Sequence, residues 1–135
     1  MYKSQKGFTL IELVVVIVLL GILGVTALGK FEDLSADASD AANSGVAAEI
    51  SSAAAINYAA NIVNGGGVAM TAANDDCATG SLAGLFQTGA FPNGHTSAIG
   101  NANVCTATGD TYTCSITDTA GLGLAATATV VCTGP

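Results

Sequence analysis

The residues most able to take part in chemistry lie near the N-terminus. There Gly7-Phe8 precedes a long apolar run whose one charge is Glu12. Residues 8–28 are long enough to cross a bilayer as a helix. An unpaired carboxylate inside such a helix is costly, so Glu12 needs a partner. Cleavage between Gly7 and Phe8 would create an α-amino group that is cationic near neutral pH. This spacing therefore predicts proteolysis followed by ion pairing.

Pairing between neighbouring copies explains why the chain keeps a costly charge. Phe8 and Glu12 stand four residues apart on a helix, and a free terminus can also reach an adjacent helix. If copies pack side by side with a small axial stagger, one stagger pairs every Glu12 with an amine. The alternative is an ordinary signal anchor whose glutamate reaches the membrane interface, but it gives no role to Gly7-Phe8.

The peptide Gly7-Phe8-Thr9-Leu10-Ile11-Glu12-Leu13, followed by an unbroken apolar helix, resembles the class III signal of type IV pilins and pseudopilins. Over residues 7–38 the chain is most similar to pilins of the mannose-sensitive haemagglutinin type. The resemblance implies that a prepilin peptidase cleaves after Gly7 and N-methylates Phe8. It also implies that Phe8, Thr9 and Glu12 set the register of assembly. Gly29 departs from the family, because many relatives have a proline near this position.

The resemblance further implies the major structural subunit of a type IV pilus, a homopolymer built by an assembly ATPase and an inner-membrane platform. The subunit would first lie in the inner membrane, with Lys3 and Lys6 on the cytoplasmic side. It would then enter an extracellular filament for adhesion, surface motility or aggregation. A pseudopilin of a type II secretion system and a minor pilin are the related alternatives. A secreted binding protein cut after Ala27 is an alternative from another class.

Charge excludes one class of partner. The 135 residues include three lysines, and cleavage after Gly7 would leave Lys30 against ten acidic side chains. A chain this acidic repels nucleic acid, so we expect no direct nucleic-acid binding. The length is enough for one small domain.

Catalytic and metal chemistry are not predicted. His95 is the only histidine, and its place in Asn93-Gly94-His95 predicts an exposed turn rather than a general base. The cysteines lack C-x-x-C spacing, which argues against a metal site. We therefore expect no enzymatic activity, no cofactor and no metal.

Hydrophobic periodicity predicts an α+β fold, the fold of type IV pilins, with one long helix whose C-terminal half packs on a small antiparallel sheet of about three strands. No proline interrupts residues 8–63, so this stretch is expected to form a single helix. The predicted segments are a leader (1–7), the membrane-spanning and later filament-core half of the helix (8–28), its amphipathic half (29–63), a connecting loop (64–95) and the sheet with a disulfide-bonded C-terminal region (96–135).

Three glycines, Gly21, Gly24 and Gly29, mark the weakest part of the long helix. In similar pilins this stretch can unwind when subunits enter the filament, and we predict the same here.

In the amphipathic half, small or apolar residues at spacings of three and four predict the face that packs on the sheet. They are Phe31, Leu34, Ala38, Ala42, Val46, Ile50, Ala53, Ile56, Ala60 and Val63.

Three aspartates, Asp33, Asp37 and Asp40, share another face of this helix. They form either a solvated face or, in one case, a partner for Lys30 of a neighbouring subunit.

Alternating patterns predict strands at residues 103–107, 111–117 and 125–132, with a hairpin turn at Gly109-Asp110. A short helix is expected near residues 81–87.

The four cysteines all follow the apolar helix, and an even number in an exported domain indicates two disulfides. Simple hairpin register across Gly109-Asp110 places Cys105 opposite Cys114 and leaves Cys77 with Cys132. The resemblance instead implies Cys77–Cys114 and Cys105–Cys132, because similar pilins often carry two cysteines at positions that match Cys77 and Cys114.

Overall fold

A computed structural model describes residues 7–71, 77–100 and 105–134. Its antiparallel sheet and long helix confirm the predicted α+β fold. By internal contacts the chain forms an N-terminal unit (Met1–Ser35) and a C-terminal unit (Ala36–Pro135). The regular elements are α1 (Leu10–Asn64), α2 (Thr79–Ala83), β1 (His95–Ile99), β2 (Thr111–Asp118) and β3 (Ala126–Val131).

The sheet has the order β1-β2-β3, and both pairs of strands are antiparallel. In β2, Tyr112, Cys114 and Ile116 are buried while the residues between them are partly exposed. Cys114 lies opposite Ile99 of β1 on one side and Ala128 of β3 on the other. One face of the sheet is therefore covered, as the alternation in the sequence predicts.

The predicted first strand is wrong. Residues 105–107 form no strand, and Asn103 and Val104 lie outside the described residues. The first strand is β1, which begins at the last residue of the predicted connecting loop and otherwise lies in the predicted sheet region. The backbone amides of Thr106 and Ala107 each donate to the Asp110 carboxylate at 2.9 Å. Because these amides are already paired, this segment forms a capped turn before β2 and not the first arm of a hairpin.

The core of the C-terminal unit lies between α1 and the covered face of the sheet. Ile50, Ile116 and Val130 are fully buried in one cluster, together with Met70 and Leu82 from the connection between helix and sheet. The helix contributes a stripe whose members are spaced by four and three residues in alternation. They are Asn43, Ala47, Ile50, Ala54 and Asn57.

The predicted packing face of α1 was only partly correct. Ile50 is buried and Val46 is partly buried, but Ile56 and Val63 are exposed. Nearly every side of this helix carries alanine, so small residues at the right spacing do not define a unique face. The buried stripe includes two asparagines, which a purely apolar pattern excludes.

Asn57 connects the end of α1 to the segment that follows it. Its Nδ2 donates to the Val68 carbonyl at 2.8 Å, and its Oδ1 accepts the Val68 amide at 2.7 Å. Gly67 has a positive φ of 104°, and a Cβ there would lie 2.5 Å from Asn57 Oδ1. The glycines after α1 thus bring the backbone against a buried amide, which supplies both of the hydrogen bonds that Val68 requires.

Replacing Asn57 with alanine should lower the free energy of unfolding by about 1–3 kcal/mol, because it leaves the Val68 amide unpaired. The Val68 carbonyl loses its shorter hydrogen bond and keeps the one from the Thr133 hydroxyl at 3.4 Å. Denaturant unfolding of the full chain in detergent, followed by circular dichroism, measures this loss. Asn61→Ala is the matched control on the same helix, since no side-chain hydrogen bond of Asn61 occurs within the described residues. Equal unfolding midpoints for the two variants would contradict the assigned role.

The connection between β2 and β3, the β2–β3 loop (residues 119–125), is fastened to α1. Asp118 Oδ2 accepts the Ser39 hydroxyl at 2.7 Å and the Leu122 amide at 3.2 Å. Asp40 accepts the Leu124 amide, and Asn43 Nδ2 donates to the Leu124 carbonyl at 2.9 Å. Together these contacts fix the loop at both of its leucines.

These contacts separate the roles of the three aspartates on α1. Asp40 is partly buried and holds the β2–β3 loop, whereas Asp37 is exposed. Asp33 Oδ2 lies 3.7 Å from Nζ of Lys30 in the same chain, and both side chains are exposed.

His95 does not lie in an exposed turn as predicted. It is partly buried at the start of β1, where it lies opposite Asp118.

Stability of the C-terminal unit is expected to fall in acid. The pKa of Asp118 is lowered, chiefly because its carboxylate accepts a hydrogen bond from the Ser39 hydroxyl. Desolvation opposes this shift, and hydrogen bonds from amides of the β2–β3 loop add to it. The Thr106 hydroxyl and amide and the Ala107 amide lower the pKa of Asp110 in the same way. Since both pKa values lie below those of the unfolded chain, their stabilisation is complete above about pH 4 and is lost as the pH falls through the folded-state pKa values.

Unfolding of the detergent-solubilised chain at several pH values between about 5 and 2 tests this dependence. Asp118→Asn should show a shallower loss of stability with acid than the parent chain. It retains Asp110 and serves as the comparison within one experiment. An unchanged pH slope would show that Asp118 does not couple folding to protonation.

Two disulfides join Cys77 to Cys114 and Cys105 to Cys132, with Cα–Cα distances of 5.5 and 5.8 Å. This is the pairing that the resemblance implied, and the simple hairpin pairing is absent because Cys114 lies opposite Ile99. The first bridge ties the connection after α1 to the central strand. The second ties the capped turn to the residue just after β3, where the Gly109 amide also donates to the Cys132 carbonyl at 2.9 Å.

Candidate assembly site

The start of α1 places Glu12 in a specific hydrogen-bonded arrangement. Thr9 precedes the first helical residue, Leu10, and its backbone amide and hydroxyl donate to Glu12 Oε2 at 2.9 and 2.8 Å. In return, the Glu12 amide donates to Thr9 Oγ1 at 3.4 Å. This reciprocal pattern is a capping box, which pairs backbone donors that the first turn of a helix leaves open.

The capping box gives Glu12 a partner within its own chain. Only one carboxylate oxygen is used, because Oε1 accepts no hydrogen bond from the described residues. The carboxylate is thus held at the helix start with one oxygen available to a second donor. Threonine three residues before glutamate is the sequence signal for such a cap. The capping function of Thr9 could therefore be predicted from the sequence, although Thr9 was assigned only to the register of assembly.

The predicted cleavage site lies in irregular backbone directly before the helix. Gly7 and Phe8 are both exposed, and the exposed fraction of Phe8 is 89%. The bond between them belongs to no helix or strand, so a protease could bind the chain around it in extended form. The preceding leader residues, including Lys3 and Lys6, lie outside the described residues.

The N-terminal unit buries none of its described residues. Every residue from 7 to 35 is exposed, including all the large apolar side chains of this half of α1. The helix is long and apolar enough to cross a membrane. A helix that is hydrophobic on all sides requires lipid or other helices around it, so this unit needs a surrounding that the chain itself does not supply.

The three glycines assigned to helix melting lie within α1 and are helical in this structure. A Cβ at Gly21, Gly24 or Gly29 would meet no other atom within 4 Å. At Gly21 the missing side chain leaves a shallow apolar depression beside Val18, Ile22 and Val25. These glycines are therefore not required by packing inside the chain, and their unwinding in a filament stays a prediction.

The structure brings together some of the predicted site residues and not others. Thr9 and Glu12 are in direct contact, with Phe8 next to them in the chain. The four cysteines lie in the C-terminal unit as two disulfides and take no part in the helix start. No group of three metal-binding side chains occurs among residues 7–71, 77–100 and 105–134.

Comparisons with known proteins support the assignment of the N-terminal segment. The prokaryotic N-terminal methylation motif matches residues 2–28. A relative, the type IV narrow pilus major component PilA5 of Thermus thermophilus, is 51% identical over 51 residues, which are 38% of this chain and 44% of that protein. The chain thus matches less than half the length of this curated relative, and no solved structure matches it significantly.

The methylation motif includes the start of a capped apolar helix, and that helix continues into a unit with a three-stranded antiparallel sheet. The capping box includes the glutamate of the motif, and two disulfides stabilise the sheet unit. The motif and the pilin relative support a type IV pilin, and the long helix with a three-stranded antiparallel sheet is the fold that the resemblance implied.

Proposed function

We propose that this chain is the major structural subunit of a type IV pilus and polymerises through α1 into an extracellular filament. The observation that carries the proposal is the capping box, which holds Glu12 at the start of a wholly exposed apolar segment within the methylation motif. Such a segment requires lipid before assembly and neighbouring helices after it. A filament core made of bundled helices supplies the second surrounding.

The proposed sequence of events starts in the inner membrane, with Lys3 and Lys6 on the cytoplasmic side. A prepilin peptidase cleaves the bond between Gly7 and Phe8 and methylates the new amine of Phe8. Methylation keeps the amine cationic, so the terminus remains an ion-pair partner. An assembly ATPase and its membrane platform then move the subunit into the growing filament.

Glu12 pairs with the Phe8 amine of an adjacent subunit in this mechanism. Thr9 acts as a positioning residue, since its two hydrogen bonds to Oε2 hold the carboxylate at the helix start with Oε1 available. A charge-assisted hydrogen bond in an apolar surrounding is strong and directional. Repeated along the filament, it fixes the axial stagger of neighbouring helices.

The C-terminal unit forms the outer part of the filament in this proposal. It contains no lysine or arginine in its sequence, so it is suited neither to nucleic acid nor to anionic surfaces. We propose a structural rather than an enzymatic role, with no cofactor, in a filament for adhesion, surface motility or aggregation.

Intact mass of the protein sheared from cells, measured reduced and unreduced, tests the proposal. A chain that begins at singly methylated Phe8, retains two disulfides and is recovered with filaments supports the major pilin. The same processed chain confined to the membrane fraction supports a pseudopilin, and trace amounts within filaments of another subunit support a minor pilin. A soluble chain beginning at Leu28 would overturn all three.

A further inference from the structure

The charges of the C-terminal unit restrict how two copies of it can meet. Residues 36–135 contain seven acidic side chains and no lysine or arginine. Two such units cannot form salt bridges through lysine or arginine and repel each other at long range. Lys30, the single lysine after the leader, lies in the N-terminal unit and is paired with Asp33. Contacts between C-terminal units are therefore favoured where their surface is uncharged.

Among the exposed large apolar side chains in the described part of the C-terminal unit, Ile56 and Ile99 occur singly and the other four form two pairs of near neighbours in the chain. One is the loop pair, Leu122 and Leu124, whose exposed fractions are 57% and 76%. The other is the helix-end pair, Ile62 and Val63, with exposed fractions of 60% and 82%. No charged residue occurs within residues 119–135 or residues 50–74, so each pair lies in a stretch free of charge.

The loop pair is held in place by the fold. Asp118 accepts the Leu122 amide, and the Leu124 amide and carbonyl are bound by Asp40 and Asn43. Gly123 lies so close to α1 that a Cβ there would be 2.8 Å from the Ser39 Cβ. The two leucines are therefore presented outward from a loop that is fastened on its inner side. Because the loop backbone is already fixed by these hydrogen bonds, binding of a partner to the two leucines costs little conformational entropy of the loop.

The same hydrogen bonds reduce the electrostatic barrier at this surface. The carboxylates of Asp118 and Asp40 are turned toward Ser39 and the loop amides. Their negative charge is thus engaged by the Ser39 hydroxyl and by amides of the loop itself.

The two pairs lie at opposite ends of the helical part of the unit. The loop pair is fastened at Asn43, and the helix-end pair follows about five turns later, which is roughly 30 Å along α1. A surface at one end that fits a different surface at the other end makes a heterologous contact. When such a contact does not close into a ring, it generates an open helical filament.

We propose that Leu122 and Leu124 of one copy pack against Ile62 and Val63 of the next copy in the filament, end to end between C-terminal units. This contact rests on the proposed pilus function and adds a second interface to the one made by the apolar helices. It joins the C-terminal units without an ion pair, as their composition requires.

Photo-cross-linking in intact filaments tests the contact. Leu122 is replaced by p-benzoylphenylalanine in the full chain, cells are irradiated, and sheared filaments are digested and sequenced by mass spectrometry. We expect cross-links to the peptide that contains Ile62 and Val63 of another copy. Thr96→p-benzoylphenylalanine, at an exposed position of β1, is the matched control and should not label that peptide.

A charge-swap series provides a second readout. Leu124→Glu alone should reduce filament yield at least about tenfold, because it places a carboxylate against an apolar surface. Val63→Lys in the same chain should restore most of that yield. Filaments that assemble normally but show no such cross-link, together with no rescue by Val63→Lys, would overturn the contact while leaving the pilus function intact. Absence of filaments from the parent chain would instead contradict the proposed function.

Discussion

Replacing Glu12 with alanine is expected to remove nearly all filaments from the cell surface while the protein still enters the membrane. In the proposed filament the change leaves the Phe8 amine without a charged partner in an apolar surrounding, which strongly disfavours the contact between subunits. Insertion should be unaffected, because the change removes a charge from an apolar segment. The amount of subunit in the sheared filament fraction, divided by the amount in the membrane, measures the effect.

Two matched variants separate the charge of Glu12 from its capping function. Glu12→Gln keeps a side chain that can accept the hydrogen bonds of Thr9 but has no charge, so it should fail in assembly nearly as severely as alanine. Glu49→Ala removes an exposed carboxylate from the same helix and should leave the filament fraction unchanged. Normal filament yield from Glu12→Ala would disprove the ion-pair register.

Removing either disulfide should lower the free energy of unfolding of the C-terminal unit by roughly 2–5 kcal/mol. The core is small, and three of its strongly buried members are the half-cystines Cys77, Cys114 and Cys132. The bridges close stretches of 37 and 27 residues. Loop entropy alone then predicts losses that differ by only roughly 0.3 kcal/mol between the two bridges.

Paired substitutions to serine, Cys77→Ser with Cys114→Ser and Cys105→Ser with Cys132→Ser, test this expectation by denaturant unfolding of the full chain in detergent. A loss much larger for the first pair would show that native packing around the central strand outweighs loop entropy. Unchanged unfolding for both pairs would refute a stabilising role. Intact mass under non-reducing conditions checks that the remaining bridge has formed in each variant.

The amino-acid sequence by itself determined the N-terminal half of this protein. The apolar run, the position of Glu12 and the threonine three residues before it are local features, and they act within one helix or between identical helices. Hydrophobic length and cap spacing depend on neighbours in the chain. For that reason the cleavage site, the membrane span and the resemblance to type IV pilins could be predicted without a tertiary structure.

Only the tertiary structure decided the arrangement of the C-terminal unit. The sequence placed the first strand at residues 103–107, but Asp110 takes the amides of Thr106 and Ala107, so β1 forms at His95–Ile99 instead. It could not show that Asn57 is buried, because its two partners lie on Val68 beyond a glycine turn. The sequence likewise predicted a solvated face for Asp40, whereas its carboxylate accepts a hydrogen bond from the Leu124 amide of the β2–β3 loop. Asn57 and Asp40 are satisfied by backbone groups 11 and 84 residues away in the chain, and such pairings are set by how the elements pack rather than by periodicity along the chain.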